Sequence, residues 1–536
     1  MNLRLSLALG AGIAAVVLGA ACDNSDLPIA GGTGGAPADD GGAGDGASGD
    51  VADAWVREEG GPAAPPDAKL LVEGDMFLCG ITADGFVVFI ANKDGDGPLN
   101  IVPIGGGSPT QLAPAVHFTH VVVKGRGVAF WTNVVGAPLN GTLSLWSAAS
   151  GLKANLGNTL AGEAIFNESA TRVALFVNPR PFADPPLMDV AVTDVGAVSL
   201  TPTITDLNLT DNVDQQVTCV PHHAFVGNRF FMTHCTVARP TTSIMQMVSD
   251  ANVVTTVFDN AAAPTASTIQ SSFSLDANGE RIFVIGTNGT ARVVTLATSE
   301  SVTIDSSVRR VILAKSGTYG LYIKESPPPL PDFPNVFSLR RTSTLVPDPR
   351  LVADNIDDDP DNLLAVSSDL GAVMFKVDEP LGDWRTNVNF VDSSKDPATA
   401  VPLTNESTGL PVGFVGDGRY ALYMSDLPGA GPRIGRLKVH DGTVSGGAAD
   451  RVVSATAMAA VPMPSGTKGL YCDDVQIATV PGTRTHCDLM AFDAASSSSP
   501  VRLATDADPF FYVSGTQVAF VLSFGANKGL YVKNVP

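Results

Sequence analysis

The stretch Gly413–Asp426, with the sequence Gly-Phe-Val-Gly-Asp-Gly-Arg-Tyr-Ala-Leu-Tyr-Met-Ser-Asp, decides the fold of this chain because variants of it recur from end to end. Runs of apolar and aromatic residues flank Gly416-Asp417-Gly418 on both sides. Glycine and aspartate at this point supply the positive-φ positions that a tight β-turn requires. The stretch therefore predicts two antiparallel strands joined by a short turn.

The same hairpin pattern occurs ten times along the chain. In each copy a third and a fourth run with strand character follow, for example Thr142–Trp146 and Leu152–Leu156. Four-stranded units that repeat roughly every 40–55 residues are typical of propeller blades. The sequence therefore predicts an all-β fold, a β-propeller of about ten four-stranded antiparallel blades. The turns lie near Asp84, Gly125, Asn167, Gly227, Asn278, Gly317, Gly371, Gly416, Gly466 and Gly515.

The two ends of the chain predict how the propeller closes. The last unit has three strand-like runs, Phe510–Val513, Gln517–Leu522 and Gly529–Val532, and no fourth run follows them. Lys69–Gly74 precedes the first unit and resembles the fourth strands of the other units. We expect Leu70–Glu73 to complete the last blade, since two sheet edges would otherwise be exposed. One closed ring is predicted, and the alternatives are two smaller propellers or a smaller ring with displaced units.

The composition limits the classes of partner. Of the 536 residues, 44% are hydrophobic and 16% are charged, so the chain can bury a large core. The formal net charge of −21 argues against nucleic acid or an anionic membrane surface as the main partner. We expect a protein or glycan partner and a monomeric chain.

The first 66 residues predict export and anchoring. Residues 1–21 have a positive start and a short apolar run, as signal peptides do. The run ends Leu18-Gly-Ala-Ala-Cys22, which resembles the lipobox of bacterial lipoproteins and predicts that Cys22 carries the lipid; ordinary cleavage after Ala21 is the alternative. Residues 22–66 are rich in Gly, Ala and Asp and predict a disordered tether with a reach of roughly 35–40 Å. The propeller domain is predicted to span residues 67–536, in the periplasm or on the outer surface.

The remaining cysteines predict two disulfides, because an exported chain meets an oxidising compartment. Cys219 and Cys235 flank the hairpin of the fourth unit. Cys472 and Cys487 lie on either side of the connection between the second and third strands of the ninth unit. The predicted pairs are Cys219–Cys235 and Cys472–Cys487, and Cys79 is predicted to be a buried thiol.

The long connections between second and third strands predict the binding surface. They share one end of the blades, whereas the turns between first and second strands are short in every unit. Long loops on one face of a rigid scaffold commonly carry binding residues. The candidate binding residues in these loops are Arg180, Arg239, Trp384, Arg385, Arg433 and Arg484. Guanidinium groups would suit carboxylates, phosphates or an acidic glycan. The alternative is that each arginine pairs with a nearby acid and only holds its loop in place.

No sequence motif assigns a metal, a cofactor or a catalytic group. Asn92–Gly97 resembles the start of a calcium loop, but the twelfth position is Pro103 instead of a bidentate glutamate, so a hairpin turn is predicted. The chain has no Gly-x-Ser-x-Gly elbow, no His-Glu-x-x-His and no phosphate loop. Catalytic residues scattered over several blades would leave no local motif, so an enzyme remains the alternative to a binding protein.

Gly413–Asp426 and Asp276–Gly286 are similar to the WD40-like repeat of TolB-type propellers, in which Asp-Gly and a basic residue precede an aromatic strand. The resemblance implies a propeller over residues 69–536 and an envelope-associated binding role. The long tether also resembles that of myxobacterial surface lipoproteins. The sequence thus predicts a lipid-anchored scaffold that binds a protein or glycan through its loop-rich face. The alternative is a polysaccharide lyase or hydrolase with its site in the central channel.

Overall fold

A computed structural model describes residues 64–536 with gaps. The gaps are residues 93, 137–138, 181–182, 184–186, 198, 209–210, 213–216, 219–220, 237, 262–271, 328–335, 357–364, 379–385, 405–407, 429–432, 445–449 and 479–483. The described residues form antiparallel β-sheets and one short 3-10 helix, Phe118–His120. The predicted signal peptide, Cys22 and nearly all of the predicted tether lie outside the described residues.

The strands follow one another along the chain in four-stranded units. Units 1 and 5 are separate sheets, whereas shared long strands and single pairs between units join the others into sheets of 11, 8 and 10 strands (units 2–4, 6–7 and 8–10 with the N-terminal strand). Strand β1 (Lys69–Glu73) precedes the first unit. Unit 1 contains β2 (Phe77–Ile81), β3 (Phe86–Ile90), β4 (Asp96–Pro103) and β5 (Thr110–His117). Unit 2 contains β6 (Val121–Lys124), β7 (Gly127–Val135), β8 (Asn140–Ser147) and the beginning of β9 (Gly151–Phe166).

The rest of β9 is the first strand of unit 3, which continues with β10 (Arg172–Arg180), β11 (Leu187–Asp194) and β12 (Ile204–Asn208). Two short strands, β13 (Asp211–Asn212) and β14 (Val217–Thr218), pair with each other before unit 4. Unit 4 contains β15 (His222–Val226), β16 (Arg229–Thr236), β17 (Arg239–Val248) and β18 (Val254–Ala261). Unit 5 contains β19 (Phe273–Leu275), β20 (Arg281–Ile285), β21 (Ala291–Thr295) and β22 (Glu300–Asp305).

Units 6 to 8 repeat the same order. Unit 6 contains β23 (Val308–Leu313), β24 (Tyr319–Ser326), β25 (Val336–Ser343) and β26 (Arg350–Ile356). Unit 7 contains β27 (Ala365–Val366), β28 (Ala372–Asp378), β29 (Thr386–Asp392) and β30 (Ala400–Pro402). Unit 8 contains β31 (Leu410–Val415), β32 (Tyr420–Ser425), β33 (Gly435–Asp441) and the beginning of β34 (Asp450–Pro462).

Units 9 and 10 also share a long strand. Unit 9 contains the rest of β34, β35 (Lys468–Gln476), β36 (His486–Asp493) and the beginning of β37 (Val501–Ser514). Unit 10 contains the rest of β37, β38 (Gln517–Leu522) and β39 (Gly529–Asn534). In every unit the tight turns join the first strand to the second, and we call this the tight-turn end. The opposite end, with the connections between second and third strands and the links between units, is the loop end.

Strand β1 supplies the fourth strand of unit 10. It pairs antiparallel with β39, from Lys69 opposite Val532 to Glu73 opposite Gly529. The N-terminal strand that the sequence predicts for the last unit is therefore confirmed. Because β1 leads directly into unit 1, the two ends of the described chain meet in one sheet.

The hydrophobic core lies between the units. The described residues form ten clusters of buried hydrophobic side chains, and each cluster spans two units that are consecutive in the chain or, in one case, units 10 and 1. In the cluster between units 10 and 1, Phe89 and Val102 pack with Ala519, Val521 and Leu530. Both faces of a unit are therefore covered by its neighbours.

Arginines also join consecutive units at the tight-turn end. Arg172 begins β10 and is almost fully buried, and its Nη1 donates to the carbonyls of Asn228 at 2.5 Å and Ser249 at 3.0 Å in unit 4. In the same way Arg281 Nη1 donates to the carbonyl of Gly317 at 3.0 Å in unit 6. Similar hydrogen bonds to the following unit are made by Arg229, Arg341 and Arg451. These side chains satisfy turn carbonyls that the packing removes from water.

Removal of β1 should destabilise the fold. A chain that begins at residue 75 would expose the edge of β39 and lose Leu71 and Val72 from the cluster between units 10 and 1. We expect a loss of about 3 kcal/mol or more and aggregation through the exposed edge. Thermal unfolding with light scattering, compared with a chain that begins at residue 64, measures both effects. Equal melting temperatures of the two chains would contradict this closure.

Arg172→Ala should lower the free energy of unfolding by about 2–4 kcal/mol, because it leaves buried carbonyls without a donor and opens a cavity. Arg126→Ala is the matched control, since Arg126 is an exposed arginine in the tight turn of unit 2. This control should change the free energy of unfolding by no more than about 0.5 kcal/mol. Urea unfolding of both variants gives the values, and similar losses would rule out a specific role for the buried arginine.

Candidate functional site

Two of the predicted loop arginines are held by acids. Arg180 forms ion pairs with Asp189 at 2.6 Å and with Asp206 at 3.0 Å, both within unit 3. Arg484 forms an ion pair with Asp508 at 2.5 Å, and its Nη1 also donates to Ser523 Oγ at 3.1 Å. These two residues therefore follow the alternative interpretation of the sequence, in which a loop arginine pairs with a nearby acid. Neither guanidinium is free to bind a partner without breaking an ion pair.

Of the other four predicted binding residues, only Arg433 has a side chain within the described part of the chain. Arg433 is exposed and makes no ion pair or hydrogen bond with the described part of the chain. Arg239 begins β17, but its side chain lies outside the described residues, as do Trp384 and Arg385 entirely. The binding role of these four residues stays a prediction.

The described cysteines include one disulfide. Cys472 and Cys487 are joined, with their Cα atoms 5.4 Å apart, and both are buried between units 9 and 10. Cys235 is buried in β16, while Cys219 lies outside the described residues, so the Cys219–Cys235 pair stays a prediction. Cys79 is buried in the cluster between units 1 and 2.

A continuous group of aromatic rings lies at the loop end of units 10, 1 and 2. Phe77 begins β2, and its ring centroid lies 5.9 Å from that of Phe510 and 4.6 Å from that of Phe118. His117 continues the group, 4.6 Å from Phe118 and 5.5 Å from His120. Phe510 is 50% exposed, and the other four rings are partly exposed. We call these five residues the aromatic strip.

The turn between β3 and β4 supports the strip. The predicted hairpin turn is present there: Asn92 Nδ2 donates to the carbonyl of Asp96 at 2.7 Å. The amide of Phe118 donates to the carbonyl of Gly95 at 2.7 Å. Gly95 has φ +72°, and a Cβ atom there would lie 2.7 Å from the Phe118 ring. Glycine is therefore required both for the turn and for the approach of the ring.

Arg484 connects the strip to the rest of the loop end. Its guanidinium carbon lies 5.9 Å from the centroid of Phe77, and its Nη1 donates to the carbonyl of Met76 at 3.3 Å. The partner acid, Asp508, lies two residues from Phe510. Burial raises the pKa of Asp508, although Arg484 and the Ser523 hydroxyl act in the opposite direction. Arg484 thus holds the strip in place across units 9, 10 and 1.

The first strands carry a row of residues at one register position. In units 1, 4, 6, 8 and 9 the position is paired with the fifth residue of the second strand; examples are His222 opposite Thr233 and Arg310 opposite Ile323. In unit 2 the position before Val121 is His120, the last residue of the 3-10 helix. In units 3 and 10 the first strand bulges at this position, and we assign it to the bulge residue next to the regular pairing, Glu163 beside Ala164 and Phe510 beside Phe511. We call these residues the first-strand row, which in unit order is Phe77, His120, Glu163, His222, Ser272, Arg310, Leu410, Met458 and Phe510; the position in unit 7 lies outside the described residues.

The first-strand row is divided by polarity. Units 2 to 6 contribute side chains that can carry charge or hydrogen bonds, His120, Glu163, His222, Ser272 and Arg310. Units 8, 9, 10 and 1 contribute Leu410, Met458, Phe510 and Phe77, and the last two belong to the aromatic strip. The row therefore consists of a polar half, in units 2 to 6, and an apolar half, in units 8, 9, 10 and 1.

Burial shifts the pKa values of two ionisable groups in the polar half, Glu163 and His222. Burial raises the pKa of Glu163 to about 7, and its carboxylate has no hydrogen bond or ion pair with any described residue. Burial and the adjacent His223 lower the pKa of His222 to about 3, so its ring is neutral at neutral pH. The Nδ1 of His222 is buried and has no partner among the described residues. Such shifted groups are more frequent at functional sites than elsewhere.

The sequence-based prediction placed its candidate binding residues in the long loops and identified neither the first-strand row nor the aromatic strip. Counting to the fifth residue of each second strand and taking the first-strand residue opposite it would have located most of the row. The row is not a local motif, since consecutive members are separated by whole units. Within the described residues, no three His, Cys, Asp or Glu side chains are placed to hold a metal ion. None of the described helices is both long enough and apolar enough to cross a membrane.

Comparisons with known proteins give low similarities. No protein-family model matches the chain. No curated protein matches it either. Among solved structures, a eukaryotic initiation factor is 12% identical with a TM-score of 0.44, covering 74% of this chain and 91% of that chain. The oligogalacturonate lyase of Vibrio parahaemolyticus is 12% identical with a TM-score of 0.33, covering 70% and 98%. The tricorn protease is 10% identical with a TM-score of 0.27, covering 88% and 63%. These values carry no inference about activity.

Glu163→Gln should change how stability depends on pH. The unfolded carboxyl loses its proton near pH 4.5 and the folded one near pH 7, so the folded state binds more protons between these values. The stability of the natural protein should therefore fall as the pH rises from about 4.5 to about 7. The variant lacks this fall. Between pH 4 and pH 8 its free energy of unfolding should therefore rise by up to about 3 kcal/mol relative to that of the natural protein.

Urea unfolding at several pH values measures this gain. Glu168→Gln is the matched control, because Glu168 is an exposed glutamate in the tight turn of the same unit. A pH profile of Glu163→Gln that runs parallel to that of the natural protein would show that the Glu163 carboxyl titrates normally.

Proposed function

We propose that this protein is an exported β-propeller, held at a membrane by a lipid on Cys22, that binds a glycan or protein partner at the loop end of its blades. The proposal includes the periplasm or the outer surface as its location and a TolB-like, WD40-like origin of the blades. The observation that carries the binding function is the aromatic strip, together with the apolar half of the first-strand row.

The proposed propeller is one ring of ten blades. Two observations support it: strand β1 completes unit 10 before the chain enters unit 1, and a core cluster joins those two units as the other clusters join consecutive units. In such a ring the first strands, most of which pair on one side only, surround a central channel. The first-strand row would then line the channel where it opens at the loop end.

A glycan suits the composition of this opening. Exposed aromatic rings such as Phe510 offer flat apolar surfaces on which the C–H faces of sugar rings can stack. The polar half of the row offers donors and acceptors for hydroxyl groups. Contiguous exposed apolar surface on a soluble protein commonly marks an interaction site. A protein partner could use the same features, with an aromatic or aliphatic side chain on the strip.

A second candidate function is a polysaccharide-degrading enzyme, and Glu163 is the observation that favours it. A carboxyl with a pKa of about 7 can give or take a proton near neutral pH. His222 is a neutral imidazole on the neighbouring unit and in the same row. Release of reducing ends from a bound polysaccharide, lost in Glu163→Gln, would establish the enzyme.

Phe510→Ala should weaken partner binding. Truncation of a central aromatic contact at an interface commonly costs 2 kcal/mol or more, so we expect a loss of roughly tenfold or more in affinity. Leu345→Ala is the matched control, because Leu345 is 60% exposed but lies at the tight-turn end of unit 6. Binding of residues 22–536 to envelope polysaccharides and to envelope extract is the measurement. Equal binding by Phe510→Ala and the natural protein would contradict the assignment of the loop end.

A further inference from the structure

Within the described part of the chain, no hydrogen bond or ion pair is made by the side chain of Arg310. It is the third residue of β23, in the polar half of the first-strand row. Its side chain is partly buried, and its Nε is buried without a hydrogen-bond acceptor. Within the described residues, no carboxylate forms an ion pair with its guanidinium.

The arginines around it are matched. Arg309, the preceding residue, is exposed and forms an ion pair with Glu325 at 2.5 Å. Arg172 and Arg281 donate to turn carbonyls of the following unit. A buried guanidinium is normally paired, because an uncompensated charge in a low-dielectric environment is costly. The Nε atoms of Arg172, Arg180 and Arg341 are also buried without an acceptor, but those three arginines bond through their Nη atoms. Arg310 has no such bond to a described residue.

The charge of Arg310 persists despite its environment. Burial lowers the pKa of Arg310 to about 10, and no nearby carboxylate counteracts this effect. A group with that pKa is still protonated at neutral pH. The site therefore combines a permanent positive charge with donors that no described residue uses.

We propose that Arg310 anchors an oxyanion-binding site, which takes the carboxylate or phosphate of a small ligand that enters between the first strands. The planar guanidinium binds such groups through two parallel N–H···O hydrogen bonds, which a lysine cannot reproduce. Arg310 lies in unit 6, whereas the aromatic strip lies in units 10, 1 and 2. The anion site therefore stands independently of the proposed binding at the strip.

The test compares sodium phosphate and sodium acetate with sodium chloride at equal ionic strength, near pH 7.5. Both oxyanions should raise the melting temperature of the natural protein above its value in chloride, because ligands stabilise the state that binds them. Arg310→Gln should lose this rise, with the apparent affinity for phosphate falling roughly tenfold or more by calorimetry. Arg310→Lys should retain a weaker response, and Arg309→Gln, one residue away, should retain the full response.

The same melting curves distinguish a binding arginine from a structural one. In chloride, Arg310→Gln should melt at the same temperature as the natural protein or higher, because the substitution removes an uncompensated charge. A stronger response to phosphate than to acetate identifies a phosphate ligand, and the reverse identifies a carboxylate. A lower melting temperature of Arg310→Gln in chloride, or an oxyanion response that this variant retains, would overturn the proposal.

Discussion

The packing of each unit against its two neighbours is the interaction on which the rest of this structure depends. A four-stranded antiparallel sheet has two faces, and alone it would leave at least one of them in water. Here the buried side chains of one unit interdigitate with those of the next, as Phe283 of unit 5 does with Tyr322 of unit 6, with ring centroids 6.2 Å apart. The requirement applies equally to units 1 and 10, which satisfy it by packing on each other, with strand β1 completing the last sheet.

The arginines at the two ends of the units have different roles in this packing. At the tight-turn end, arginines such as Arg172 and Arg281 cross to the next unit and donate to turn carbonyls, so positive charge there is used for structure. At the loop end, Arg484 is used in a similar way, but it also holds Phe77 beside Phe510. Arginine content alone therefore does not identify a binding face. The informative arginine is Arg310, whose donors no described residue uses.

The first-strand row combines groups that lie far apart in the chain. Glu163, His222 and Arg310 belong to three different units; His222 and Arg310 share a register position on their first strands, and Glu163 lies in the bulge at the corresponding place in β9. Burial disfavours the charged form of each group. It therefore raises the pKa of the acid Glu163 and lowers the pKa values of the bases His222 and Arg310. Units 8, 9, 10 and 1 contribute apolar and aromatic side chains to the row.

The sequence by itself determined the local structure. The Gly416-Asp417-Gly418 turn and its relatives specify hairpins because only certain residues tolerate the backbone angles of a tight turn. The alternation of apolar residues around them then specifies strands, and the lack of a fourth strand in the last unit was enough to predict the pairing of β1 with β39. The bond between Cys472 and Cys487 could also be expected, since both residues flank a single connection.

Only the tertiary structure decided which side chains come together between units. The ion pair of Arg484 with Asp508 and the approach of Phe77 to Phe510 depend on the orientation of one sheet against the next. That orientation is set by the collective packing of many buried side chains, to which no single residue contributes a recognisable pattern. The lack of a partner for Arg310 among the described residues has the same origin. The sequence contains the arginine, but only the positions of all surrounding strands determine that none of the described acids reaches it.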